Sequence, residues 1–214
     1  MGSPGSGKTT FIAHASEKGW HNVNHSMVSS TEPITPIQCK HPNIMRAHGR
    51  SPIILVDTPG FLDGYSETKC FEDIAGWMKA NIELAGIILL HKISDNRMTG
   101  TDIEKTRKFA SLCGHEVMKN IVVATTMWGD GVSEEIGQMR QTELKKDWLI
   151  GEGCAVEMFE KDAESAWRII NQVLDLPPCP RLRVQGTKIG DLDLGKATGG
   201  GWRKVRALFR KGRL

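Results

Sequence analysis

Gly2-Ser3-Pro4-Gly5-Ser6-Gly7-Lys8-Thr9 fits the spacing G-x-x-x-x-G-K-[ST] at every fixed position. Glycines let such a loop turn its backbone amides inward around a phosphate. A lysine adds positive charge at the β- and γ-phosphates, and the hydroxyl that follows can ligate Mg²⁺. A helix opening at Lys8 would add the positive end of its dipole. We assign Gly2, Gly5, Ser6, Gly7, Lys8, Thr9 and Thr10 to this cradle, with Lys8 as its cation. Read alone, the stretch also fits a flexible glycine-rich segment.

A second element outweighs that plainer reading. Asp57-Thr58-Pro59-Gly60 directly follows the apolar run Ile53-Ile54-Leu55-Val56. A carboxylate at the carboxyl end of a strand can hold Mg²⁺ through water, and a glycine three residues later can offer its amide to a γ-phosphate. On its own the tetrapeptide reads as a turn. With the first motif upstream, it marks a site for a nucleoside triphosphate and Mg²⁺.

The rest of the chain alternates short apolar runs with helical stretches, the pattern of a mostly parallel sheet covered on both faces. Buried strands are expected at Ile53–Val56, Gly86–Leu90 and Ile121–Thr125, with a weaker one at Gly153–Val156. Helices are expected at Lys8–Glu17, Thr68–Ala80, Thr101–Cys113, Ser133–Leu149 and Ala163–Leu174. In the last, Ala163, Ala166, Trp167, Ile170, Val173 and Leu174 form one apolar stripe of helical period, so its tryptophan belongs to the core. The fold class is α/β.

These residues resemble the P-loop GTPases of the septin and immune-associated nucleotide-binding type, most nearly the fungal single-domain G domain-containing proteins. Gly2–Thr10, Asp57–Phe61, His91-Lys92-Ile93-Ser94-Asp95-Asn96-Arg97-Met98, Thr125-Thr126-Met127-Trp128 and Glu164-Ser165-Ala166-Trp167 carry the likeness, which spans about residues 2–176. The resemblance implies a three-layer P-loop NTPase fold and a Mg²⁺-dependent GTP/GDP-binding switch. It places a mobile segment before Asp57, in which Thr31 would ligate Mg²⁺ beside Thr9 and Asp57; Thr35 is the competitor. Gly60 would sense the γ-phosphate, and Thr126, Met127 and Asp130 would meet the base.

The chain departs from that pattern in three places. Guanine selection usually rests on N/T-K-x-D, whereas this chain has Thr126-Met127-Trp128-Gly129 with Asp130 one residue late. Met127 can pack on a base as a lysine stem would, and a one-residue shift would bring the Asp130 carboxylate to the base. Signalling GTPases often place a glutamine after the D-x-x-G glycine to orient water; here that residue is Phe61, so slow turnover is expected. A partner's polar group would then help, with His91 and Arg97 as candidates in a homodimer across the nucleotide site. Finally, the strand that should feed the loop is absent, since only Met1 precedes Gly2. Exposing two inner strand edges would cost about 1–3 kcal/mol per buried orphan group. A mis-called start at an internal Met, a degenerate gene product and closure of the gap by neighbouring strands are the three readings, the first favoured.

Composition limits the remainder. The 214 residues carry a formal net charge of +3, but residues 181–214 hold ten Lys/Arg against two Asp. A mildly acidic body, residues 1–176, thus precedes a basic tail, residues 177–214, beginning at Pro177-Pro178-Cys179-Pro180. The tail ends in Gly199-Gly200-Gly201 and an amphipathic stretch in which six cations sit among Trp202, Val205, Leu208 and Phe209. It would suit an anionic membrane surface; a solvated tail is the plainer expectation, and no specific nucleic acid is implied. The longest apolar run is far below the roughly 20 residues that span a bilayer. Five scattered cysteines suit a reducing compartment, and Cys39, His41 and His48 lack the paired spacings of zinc ligands. A cytoplasmic address, peripheral at a membrane if the tail binds one, follows as an expectation. The leading reading is a slow GTPase switch; a truncated, inactive nucleotide-binding or interaction protein and a small-molecule kinase are the alternatives.

Overall fold

A computed structural model describes residues 1–16, 34–40, 42, 53–58, 84–95, 115–147, 153–177 and 179. The elements within them are α1 (Lys8–Ala15), β1 (Thr35–Cys39), β2 (Ile53–Asp57), β3 (Ile87–Lys92), a 3₁₀ turn (His115–Asn120), β4 (Ile121–Thr126), α2 (Glu134–Asp147), β5 (Ala155–Met158) and α3 (Ala163–Leu174). Strands β3, β4 and β5 form a parallel sheet in that order. Their register sets Ile87 against Ile121 and Val122 against Ala155.

All six residues of β4 are buried, as expected of a central strand covered on both faces. Alternation along the strand separates the two coverings. Val122 and Ala124 join a core with Phe11, Ile12 and Ala15 of α1 and Ala166, Trp167, Ile170 and Val173 of α3. Thr125 belongs to the other face, where Gln141 of α2 donates to its hydroxyl at 3.2 Å. Three layers result, helix, sheet and helix.

Helix α3 occupies the expected span, but its buried face is displaced by a fraction of a turn. Ile169 is fully buried, whereas Ala163 is exposed and Leu174 only partly covered. Phe159, just before the helix, packs edge-on to Phe11 of α1 with ring centroids 5.0 Å apart, beside the core that α1 and α3 share. The start of α3 is capped by Asp162, whose carboxylate accepts from the Ser165 amide at 2.7 Å. That bond holds the Asp162 carboxyl below its ordinary range. A depressed folded-state value means that the cap is fully effective above the unfolded value near about pH 4 and is lost as pH falls through the folded one. Asp162→Ala should therefore cost about 1 kcal/mol at neutral pH. In urea titrations at several pH values, the gap between the two proteins should close only in acid.

Thr35–Cys39 forms a strand that sequence reading did not anticipate. It pairs antiparallel to β2, with Thr35 opposite Asp57. Pro36 and Gln38 hide its pattern, and three of its five residues are exposed, as is common at an edge. Cys39 is nevertheless buried in the core, with Ile37, Ile53 and Leu55 packed against it.

Met1 and Gly2 lie along the other edge of β3. The Met1 amine donates to Ile88 O at 2.8 Å, Leu90 N donates to Met1 O at 2.8 Å, and Gly2 bridges to Leu90 in parallel. Among the described residues β2 and β3 do not pair, so the sheet falls into a two-stranded and a three-stranded part. The opposite end of the sheet is closed by Asn120, whose amide donates to Ala85 O at 3.3 Å and Pro177 O at 2.8 Å. The expected helices at 68–80 and 101–113 lie outside the described residues, as does nearly all of the tail. Among the described residues no helix is long and apolar enough to cross a membrane.

Candidate functional site

Glycine geometry shapes the loop between Gly2 and α1. Gly5 and Gly7 have φ of 71° and 85°, values that only glycine adopts without strain. A Cβ on Gly2 would come within 2.5 Å of Leu90 O, so the loop lies as close to β3 as a backbone can. The loop is also tied to the sheet by Thr126 of β4, whose hydroxyl donates to Ser6 O at 3.0 Å and His91 O at 3.3 Å. Thr126 therefore fixes the cradle from beneath, a role the sequence did not reveal.

Gly7 caps α1 without any side-chain hydrogen bond, and no acidic residue occupies the first turn. The amides at that end retain their capacity for an anion. Lys8 bends back over the loop and donates to Gly2 O at 3.2 Å and Ser3 O at 3.0 Å. Ser6 is completely buried beneath the loop, and its hydroxyl has no hydrogen-bond partner among the described residues.

Thr9 and Asp57 are 48 residues apart in sequence, yet the Thr9 hydroxyl donates to Asp57 Oδ2 at 3.0 Å. The hydroxyl expected to ligate a metal and the carboxylate expected to hold its water shell thus meet beside the cradle. These are hard oxygen donors, few in number, which is what Mg²⁺ uses when phosphates and waters complete its shell. Among the described residues no three His, Cys, Asp or Glu converge as a self-contained metal cage. Thr58 is buried next to Asp57, its hydroxyl without a partner among the described residues. Thr31 and Gly60, the remaining residues expected at the metal and the γ-phosphate, lie outside the described residues. Thr35, the competitor of Thr31, is the first residue of β1.

The loop after β4 forms the third side. Met127 has a left-handed backbone, φ 61°, and its Cε lies 3.8 Å from the position a Cβ on Gly7 would take. It thus stands over the glycine loop. Trp128 turns away. Its indole donates to Thr125 O at 3.2 Å and Thr125 Oγ1 at 3.1 Å, and its ring covers Gly137 of α2. Asp130 projects toward the loop after β5, where Lys161 Nζ lies 3.5 Å from its carboxylate.

His91 ends up within β3, in register with Thr125. Asp95, in the loop that follows, pairs with Lys92 at 3.6 Å. Arg140 of α2 fastens this loop by donating to Ile93 O at 2.8 Å and Ser94 O at 3.1 Å. Asn96 and Arg97 lie outside the described residues.

No family model and no curated protein sequence matches the chain. Solved structures do. The chain is similar to a dimerization-deficient mutant of Toc33 from Arabidopsis thaliana, at 17% identity and a TM-score of 0.58, covering 92% of this chain and 82% of that one. It is similar, with the same identity and coverage and a TM-score of 0.56, to Toc33 in complex with Mg²⁺ and GMPPNP. A structure of the chloroplast translocon components atToc33 and psToc159, for which dimerization is important for GTPase activity, matches at 15% identity and a TM-score of 0.62, covering 82% of this chain and 80% of that one. The chain thus has the α/β fold of these structures, with its glycine loop and the Asp57 carboxylate beside its parallel sheet.

Proposed function

We propose that the chain is a guanine-nucleotide-binding switch domain that uses Mg²⁺ and hydrolyses GTP slowly to GDP and phosphate. The observation that carries this reading is the 3.0 Å bond between Thr9 and Asp57 beside an uncapped helix start. It joins the two phosphate-and-metal motifs into one site. Amides of Gly5–Thr9 and the Lys8 ammonium would hold the β- and γ-phosphates. Thr9 would ligate the metal, Asp57 would orient its water shell, and Thr31 and Gly60 would answer to the γ-phosphate. Mg²⁺ held there would supply charge neutralisation for the phosphates. Toc33, of the same fold, has been solved with Mg²⁺ and either GMPPNP or GDP, which supports the choice of ligand.

Phe61 supports slow turnover, because an apolar side chain cannot orient a nucleophilic water. A homodimer across the nucleotide site would add polar groups that one copy lacks, and similar GTPases whose activity depends on dimerization support that arrangement. A cytoplasmic location, with residues 199–214 resting on an anionic membrane surface, completes the proposal. Pelleting with anionic vesicles, with and without that stretch, tests the membrane contact; absent or salt-independent binding removes it.

Fluorescent GTP and ATP analogues, titrated into the full chain with Mg²⁺ and then with EDTA, test the nucleotide reading. Saturable binding is expected, weakened at least about tenfold by EDTA and by Asp57→Asn, since each removes a charged contact. Equal binding with and without the metal would contradict the assignment of Thr9 and Asp57.

A further inference from the structure

Among the described residues three large apolar side chains stand exposed, Ile54, Ile136 and Met139. The last two lie one turn apart on α2, at 41% and 56% exposure. A single exposed apolar side chain is ordinary, whereas two on one stripe of a helix make a surface of definite chemistry. Glu135 and Glu143, four residues before and after Met139, are exposed on the same side. The sheet-facing side is marked by Gly137 under the Trp128 ring, by Gln141 bound to Thr125 and by buried Leu144. The apolar pair and its carboxylates therefore point away from the sheet. Cations of α2 are placed elsewhere. Arg140 is directed to the carbonyls of Ile93 and Ser94, Lys145 and Lys146 fall in the last turn, and neither Glu135 nor Glu143 has an ion-pair partner among the described residues.

We propose that this surface seats the C-terminal segment Trp202–Phe209 of the same chain, apolar stripe against apolar pair, with the segment's cations beside Glu135 and Glu143. Trp202, Val205 and Phe209 recur at i, i+3 and i+7, the spacing of one helical stripe, and Leu208 adjoins them. Six cations and no acidic residue accompany them between 199 and 214, so the two surfaces are opposite in charge. The segment can reach α2. Residues 178–201 separate it from Pro177, which Asn120 holds at the end of the sheet, and extended they would span about 80 Å. Helix α2 itself is about 21 Å long. Exposed ion pairs contribute under about 1 kcal/mol each, too little with two apolar side chains to hold a free peptide. Tethering changes the balance, because a segment joined to its own site is present at an effective concentration of about millimolar. The contact is therefore salt-sensitive and open to competition from the anionic membrane surface assigned above to the same residues. It is made where no such surface is present.

The test is NMR of the full chain, labelled with ¹³C at methionine methyls and ¹⁵N at tryptophan indoles, without vesicles or nucleotide. Each signal is read away from its own substitution. The Met139 methyl should give nuclear Overhauser contacts to the Trp202 or Phe209 ring, and it should shift when the tail carries Trp202→Ser, Leu208→Ser and Phe209→Ser. The Trp202 indole should shift in turn in Glu135→Lys/Glu143→Lys, whose changes lie at exposed positions and leave the thermal transition unaltered. Raising salt from about 0.1 M to about 1 M, which shortens electrostatic reach from about 10 Å to about 3 Å, should move both wild-type signals toward their variant positions. A Met139 methyl that is indifferent to the tail variant and shows no contact to either ring overturns the proposal. So does a methyl that shifts with protein concentration but not with the tail variant, because a second copy then covers the surface. Neither result bears on the nucleotide site or on vesicle binding, which have their own tests.

Discussion

Lys8→Ala should lower the affinity for Mg²⁺·GTP by about a hundredfold or more while leaving the protein folded. The lysine is the one side-chain cation within the glycine motif, and contacts between charged partners contribute about 1.5–3 kcal/mol each. A β- and γ-phosphate pair offers it more than one. In the structure its ammonium donates to two loop carbonyls, Gly2 O and Ser3 O, at 3.2 and 3.0 Å. Those bonds are partly exposed, so losing them should cost under about 1 kcal/mol of stability. Alanine is also a better helix former than lysine at the first position of α1. Affinity and stability should therefore separate: nucleotide titration shows the loss, and a thermal melt shows almost none. An unchanged affinity would mean that nucleotide binds elsewhere.

Gly137→Ala should destabilise the protein by about 1–2 kcal/mol, although alanine in a helix interior normally gains about 1 kcal/mol over glycine. A Cβ there would lie 2.5 Å from the Trp128 ring. The ring cannot swing aside without giving up the indole bonds to Thr125, and overpacking of this kind costs about 1–3 kcal/mol. Because Trp128 follows Met127, the variant should also disturb the loop that carries Asp130. Chemical denaturation of Gly137→Ala, Trp128→Ala and the double variant checks this: the glycine change should be far less harmful once the ring is gone. A raised melting temperature for Gly137→Ala would contradict the packing described here.

Much of the fold was legible because its elements announce themselves physically. Ile121–Thr126 is uniformly buried and opens on the apolar run Ile121–Ala124, and Ala163–Leu174 carries a helical stripe with Asp162 before it. The rotation of α3 was not legible, since which of its residues face the core is set by packing against residues distant in sequence, among them Phe11 and Val122. Strand β1 escaped because an exposed edge strand containing Pro36 has no apolar alternation to display.

The site divides in the same way. That Thr9 and Asp57 would meet beside the glycine loop was readable from the spacing of the two motifs. Thr126 beneath the loop was readable only as a base-site residue, and the turn of Trp128 against Gly137 was not readable at all. Lys161 carried no sequence signal. Its backbone angle and its approach to Asp130 exist only once two loops, some thirty residues apart, are placed side by side.

The account stands most directly on the backbone amides of Gly5–Thr9. Their NMR signals in the full ¹⁵N-labelled chain, followed as Mg²⁺·GDP is added, should shift strongly downfield to a saturating end point, as amides that take up phosphate oxygens do, and Lys8→Ala should abolish the change. Saturable binding that leaves those five amides unmoved would contradict it.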